Sequence, residues 1–169
     1  SVISQQLATA AARTIKERFV LECGKVTPKN VAAMEIEQLR GAGLSGAKAK
    51  TVQGLATAAL ERQVDFNKLH EMDDEEVYKS LTSLWGIGPW TVDMFMMWQL
   101  GRLDIWPTGD LGVRRGWEKV HKLKEEITPD ALGKKGDRFK PHRSIVAWYC
   151  WRAIDLEDRK SIRLNSSHI

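Results

Sequence analysis

The sequence has little that would staple the chain or embed it in a membrane. Its two cysteines, Cys23 and Cys150, lie far apart in apolar surroundings. Two distant thiols exclude a four-cysteine zinc or iron–sulfur site, and nothing else asks for an oxidising compartment, so both read as reduced core residues. No apolar run approaches the roughly 18 residues of a membrane-spanning helix. Alternating strand patterns, internal repeats and Gly/Ser-rich linkers are also missing. Neither charge sign dominates: 26 Lys+Arg against 22 Asp+Glu leave a formal +4, a weak pointer to a polyanionic partner. Tyrosine is scarce and tryptophan is not, at two against seven, which asks for stacking surfaces or a very aromatic core.

What is present is helical period. At 169 residues and 43% apolar content, the chain suffices for one well-packed domain, or two small lobes sharing a core. Ile3, Leu7, Ala11, Ile15 and Phe19 recur every four residues and predict one helix of about five turns. Thr27-Pro28 fits an N-cap with proline at the first helical position. Short helices around Ala32–Met34 and Ile36–Leu39 break at Gly41 and Gly43, and Val52, Leu55, Ala56, Ala59 and Leu60 form a second stripe. Asp73–Glu76 open a helix with acidic residues where its dipole favours them. Trp90 to Leu100 is apolar on nearly every side, as in a buried helix. Thr108-Gly109-Asp110 caps a basic helix ending near Lys119, Thr128-Pro129 starts another, and Pro141 opens a last one, densely apolar from Ile145 to Trp151. The expectation is an all-α bundle over residues 1–152. Residues 153–169 are expected to form a disordered or non-native tail, and the start at Ser1 suggests missing N-terminal residues.

The most informative segment is Leu81-Thr-Ser-Leu-Trp-Gly-Ile-Gly-Pro-Trp-Thr-Val92. Two helices joined by Gly86-Ile-Gly88, with a helix N-terminus immediately after, make a nest of main-chain amides. Glycine permits positive φ and close approach, and such a nest suits a DNA phosphate without reading any base. An ordinary αα-turn with two glycines accounts equally well for these residues alone.

This hairpin is followed, twenty residues beyond Trp90, by Asp110 within Pro107-Thr-Gly-Asp-Leu-Gly-Val-Arg-Arg-Gly116. The combination resembles the helix-hairpin-helix DNA glycosylase superfamily, most closely its 3-methyladenine DNA glycosylase II group. Ser4-Gln-Gln-Leu-Ala-Thr-Ala-Ala-Ala12, Gly43-Leu-Ser-Gly-Ala-Lys-Ala-Lys50 and Pro141-His-Arg-Ser-Ile-Val-Ala-Trp-Tyr-Cys-Trp151 extend the resemblance, in order, to about Arg152. It implies two helical lobes flanking an active-site cleft and a base-excision enzyme that flips alkylated purines from double-stranded DNA.

The resemblance assigns roles by position. Asp110 falls on the family's catalytic aspartate, where a carboxylate stabilises an oxocarbenium-like sugar and orients water; local sequence alone would read it as an N-cap. The place of the lyase members' Schiff-base lysine is held by Trp90, which implies a monofunctional hydrolase. Trp90 and Trp151 match pocket aromatics suited to an electron-poor base, with Met94 one turn on where some relatives carry an aromatic. Trp98, Trp117 and Trp148 read as core. Gly86, Gly88 and Thr91 are expected at the DNA backbone, Gln6 or Leu7 as the wedge filling the vacated stack, and Lys48, Lys50, Arg114 and Arg115 as phosphate contacts. The carbonyls of Thr82, Leu84 and Ile87 match a monovalent-cation site (sodium or potassium); no other cofactor and no iron–sulfur cluster is expected. The implied setting is intracellular, with the DNA in bacterial cytoplasm or eukaryotic nucleus, as a monomer. A non-catalytic hairpin module, a mismatch or oxidised-base glycosylase of the same fold, and a helical scaffold protein stay open as alternatives.

Overall fold

Side-chain caps punctuate the chain at four of the positions where its sequence puts helix starts. The computed structural model describes residues 2–4, 7 and 9–166, with side chains described to Asp155 except those of residues 4 and 9. Among these residues helix is the only regular structure, and no helix is long and apolar enough to cross a membrane. The elements are α1 (Thr9–Cys23), α2 (Pro28–Ala32), α3 (Ile36–Gly41), α4 (Gly46–Leu60), α5 (Asp74–Thr82), α6 (Pro89–Trp98), α7 (Leu111–Val120), α8 (Pro129–Gly136) and α9 (Arg143–Ser166). Thr27, Asp73, Asp110 and Thr128 each accept an amide of their helix's first turn on a side-chain oxygen. Such a cap satisfies a donor that the helix itself leaves open.

Two starts differ from expectation. Ile3 lies in a separate 3₁₀ turn, Val2–Ser4, so the first stripe does not ride one helix. The Ile3 carbonyl instead accepts the Lys48 ammonium at 3.0 Å, a tertiary bond in the place of the i+4 amide that a continuous helix would supply. The last helix begins at Arg143 rather than Pro141, because the Asp104 carboxylate captures the Arg143 amide at 3.3 Å. Its backbone continues as helix to Ser166, past Arg152.

The chain divides into two compact units, Ser1–Phe95 and Met96–Ile169, the division falling inside α6. In the first, Phe19, Val31, Met34, Leu39, Leu44 and Ala49 form a core to which Ile15, Ile36 and Val52 add their partly buried side chains. Helices α2 and α3 pack on α4, and the Gln53 amide donates to the Met34 carbonyl at 2.7 Å.

In the second unit α7 lies against α9. Gly116 lets them touch: a Cβ there would collide with the Cys150 carbonyl. Trp117 sits at this core, 3% exposed, meeting Trp106 and Phe139 edge-on at 5.8 and 5.9 Å. The Trp106 indole N–H donates to the Leu132 carbonyl at 2.9 Å and fastens α8. Both cysteines are buried and unbridged, and burial pushes the Cys150 thiol up to about 11.

Candidate active site

Within the first unit the hairpin joins α5 to α6 through residues 83–88. The Leu84 amide bonds back to Leu81 at 3.1 Å, the Ile87 amide to Leu84 at 3.1 Å, and the Gly88 carbonyl accepts the Thr91 and Val92 amides. Among the described residues, no acceptor is found for the amides of Gly86 and Gly88. Gly86 has φ +78, and a Cβ there would strike Thr51 Oγ1, so the turn lies directly on α4. Gly88 does not share the left-handed φ; nothing lies within 4 Å of where its Cβ would be, so glycine there leaves the start of α6 uncovered.

Thr91 is buried and its amide donates to the Gly88 carbonyl at 3.0 Å. Trp85 is half exposed beside Gly86, with the Lys50 ammonium 4.2 Å from its ring centroid. Trp90 is partly exposed, whereas Met94, one turn on, is buried. Leu7 is exposed, and Gln6 lies outside the described residues. Of the cation-site carbonyls, that of Leu84 already accepts the Ile87 amide, which leaves it a second lone pair.

The second unit builds its site from side chains. Asp110 is only 9% exposed. Its Oδ1 accepts the Val113 amide at 2.7 Å and the Trp151 indole N–H at 2.8 Å, the latter from α9. N-cap and held carboxylate are therefore one arrangement. A carboxylate positioned by fixed donors needs little reorganisation when positive charge develops beside it. Gly112 makes room for it: a Cβ there would lie 2.7 Å from Trp151 Cδ1 and 3.0 Å from Asp110 Oδ1.

The loop leading to Asp110 is clamped at its far end. Arg143 grips Asp104 with two bonds, Nε to Oδ1 at 2.7 Å and Nη2 to Oδ2 at 2.8 Å. This fork holds the Asp104 carboxyl below the usual carboxylate range. Ser144 Oγ donates to the Arg102 carbonyl at 2.7 Å and accepts the Ile105 amide at 2.9 Å. Closer in, the Asp110 amide bonds to the Pro107 carbonyl at 2.9 Å.

One sequence assignment changes here, the reading of Trp98 and Trp148 as core. Trp98 is not core: at the C-terminal end of α6 it is 60% exposed, its ring centroid 5.9 Å from that of Trp151 at a tilt of 33°. Trp148 is likewise half exposed, and with Trp98, Leu103 and Ile145 it lines an apolar hollow of about 330 Å³. Three of the cations expected on phosphates also have partners within the protein. Lys48 reaches Ile3, Arg114 reaches the Ile127 carbonyl at 3.5 Å, and Arg115 pairs with Glu118 and Glu126. Sequence reasoning missed Gly112 and Gly116, although their four-residue spacing on one helix face is a readable signal for close helix packing.

These features meet in one family. The chain matches, over residues 1–141, the model of the HhH-GPD superfamily of base excision DNA repair proteins, and it belongs to that superfamily. It is 33% identical to DNA-3-methyladenine glycosylase 1 of Schizosaccharomyces pombe over 162 residues, 94% of this chain and 71% of that protein. An alkylbase DNA glycosidase-like protein of the same yeast is 31% identical over 157 residues, 90% of this chain and 74% of its own. Among solved structures, the S. pombe 3-methyladenine DNA glycosylase in complex with abasic DNA superposes with a TM-score of 0.82 at 31% identity. That match covers 89% of this chain and 75% of the other.

Proposed function

We propose that this protein excises alkylated purines of the 3-methyladenine type from double-stranded DNA by hydrolysing the N-glycosidic bond, with Asp110 as the catalytic carboxylate. The observation that carries this reading is the buried Asp110 Oδ1 fixed by the Val113 amide and the Trp151 indole. Cleavage of the glycosidic bond passes through a cationic, oxocarbenium-like sugar. A fixed negative charge beside that sugar stabilises it and directs the attacking water to the anomeric carbon. The bond to the base breaks, the base departs with the bonding pair, and water supplies the new C–O bond and loses a proton. The products are a free base and an abasic site in an uncut strand.

The other roles follow from family position together with residue chemistry. Trp90 stands where lyase members carry a lysine, and an indole forms no imine, so the enzyme is monofunctional. Trp90 and Trp151 each offer an electron-rich face to an extruded, often cationic base, and Met94 adds apolar contact. The open amides of Gly86 and Gly88 receive a backbone phosphate, with Lys50 alongside. Gln6 or Leu7 fills the vacated stack. The carbonyls of Thr82, Leu84 and Ile87 suit a monovalent cation that stiffens the hairpin. The protein works as a monomer, inside the cell, with the DNA.

The test is chromatography of bases released from methylated duplex DNA. Free 3-methyladenine should appear, the strand should stay intact until alkali is added, and borohydride should trap no covalent adduct. Binding without base release would mark a hairpin module, release of oxidised bases alone a different glycosylase, and a borohydride adduct a lyase.

A further inference from the structure

Trp98 is a large apolar side chain that burial in the core does not explain. Its indole is 60% exposed where α6 ends, so its burial adds little to stability, yet its ring lies against that of Trp151 at 5.9 Å and a 33° tilt. Trp151 in turn donates its only N–H to Asp110 Oδ1 at 2.8 Å. A hydrogen bond from a ring N–H weakens steeply as the ring plane swings, because the donor direction is locked to the plane. The Trp151 ring therefore needs walls. Gly112 backs its Cδ1–Nε1 edge, where even a methyl group would crowd it, and Trp98 meets the ring system at a shallow tilt.

We propose that Trp98 is a positioning residue for base excision: it holds the Trp151 indole in the plane that keeps its N–H on the Asp110 carboxylate. This rests on the reading of Asp110 as the catalytic carboxylate. Trp98 acts through Trp151, so its removal should slow the chemical step and leave DNA affinity nearly untouched.

The experiment measures single-turnover excision from methylated duplex DNA at saturating enzyme, beside the Kd for the same duplex. Trp98→Ala should lower the excision rate about ten-fold, the equivalent of a weakened hydrogen bond to a charged group, with Kd nearly unchanged. Trp98→Phe, which keeps an aromatic wall, should recover most of the rate. Trp151→Phe already lacks the N–H, so adding Trp98→Ala to it should cost nothing further. A residue that merely stabilised the fold would show additive losses in that double variant and no rescue by Phe, and either result would overturn the proposal. So would a wild-type rate for Trp98→Ala alongside an inactive Asp110→Asn. An active Asp110→Asn would instead remove the catalytic reading beneath it.

Discussion

At the hairpin, the groups offered to a ligand are the main-chain amides of residues 86 and 88, set by the end of one helix and the start of the next. At Asp110 the working group is a side-chain oxygen held by a neighbouring amide and by an indole 41 residues away. The first site is local and made of backbone, so it depends on φ angles and on the absence of side chains. The second is non-local and made of side chains, so it depends on the distance between α7 and α9. The contrast shows that gripping a repetitive phosphate chain needs no side-chain identity, whereas stabilising a charge at one atom does.

The side-chain site is most vulnerable at the α7–α9 contact. Gly116→Val would drive a branched side chain into the Cys150 carbonyl. Thermal melting should register a loss of about 3 kcal/mol or more, at the upper end for overpacking. A melting temperature close to wild type would mean that the helices can separate at no cost.

Next in size, and confined to chemistry, is Trp151→Phe. It keeps most of the ring and removes the N–H that reaches Asp110. A lost hydrogen bond to a charged acceptor is worth about 1.5–3 kcal/mol, roughly 10- to 100-fold in single-turnover excision rate. If that rate holds while base binding weakens, Trp151 serves stacking alone.

Gly86→Ala tests the backbone-made site. Its φ of +78 and the neighbouring Thr51 hydroxyl both resist a methyl group. The left-handed backbone alone costs roughly 1–2 kcal/mol. Fluorescence anisotropy should show intact and methylated duplexes losing affinity by the same factor, since a phosphate contact carries no base information. A loss restricted to methylated duplex would place the hairpin in base recognition instead.

The smallest effect concerns the clamp upstream of Asp110. The folded-state pKa of Asp104 is depressed, chiefly by its hydrogen bond to Arg143. Its stabilising contribution is therefore complete above the ordinary carboxylate pKa of about 3.9 and is lost as pH falls through the lower folded value. Asp104→Asn should melt a few degrees below wild type at neutral pH, equivalent to about 1 kcal/mol for a partly exposed pair, and the gap should close in acid. A gap that stays constant down to pH 2 would leave the ion pair without a role.

The caps at Thr27, Asp73, Asp110 and Thr128 were legible because capping is settled within three residues, and Gly86-Ile-Gly88 was legible because its turn is encoded on the spot. Asp110 could be located, yet its local sequence said only N-cap; the second donor arrives from α9 and no window around residue 110 contains it. The same reason covers what periodicity left unread. Whether Trp98 is buried, whether Lys48 reaches Ile3, and where α9 begins are each decided by partners some 40 residues or more away. Periodicity marks an apolar face without saying whether anything covers it.

On this reading a charge at Asp110, and not merely a cap, drives excision. Asp110→Asn separates the two, because asparagine caps a helix about as well and its side-chain oxygen still accepts from Val113 and Trp151. The measurement is single-turnover release of 3-methyladenine from methylated duplex DNA, with melting temperature and Kd followed in parallel. Melting should be unchanged, binding retained and the rate lowered at least about 10²-fold, the loss of roughly 3 kcal/mol of transition-state stabilisation. Release at close to the wild-type rate would contradict it.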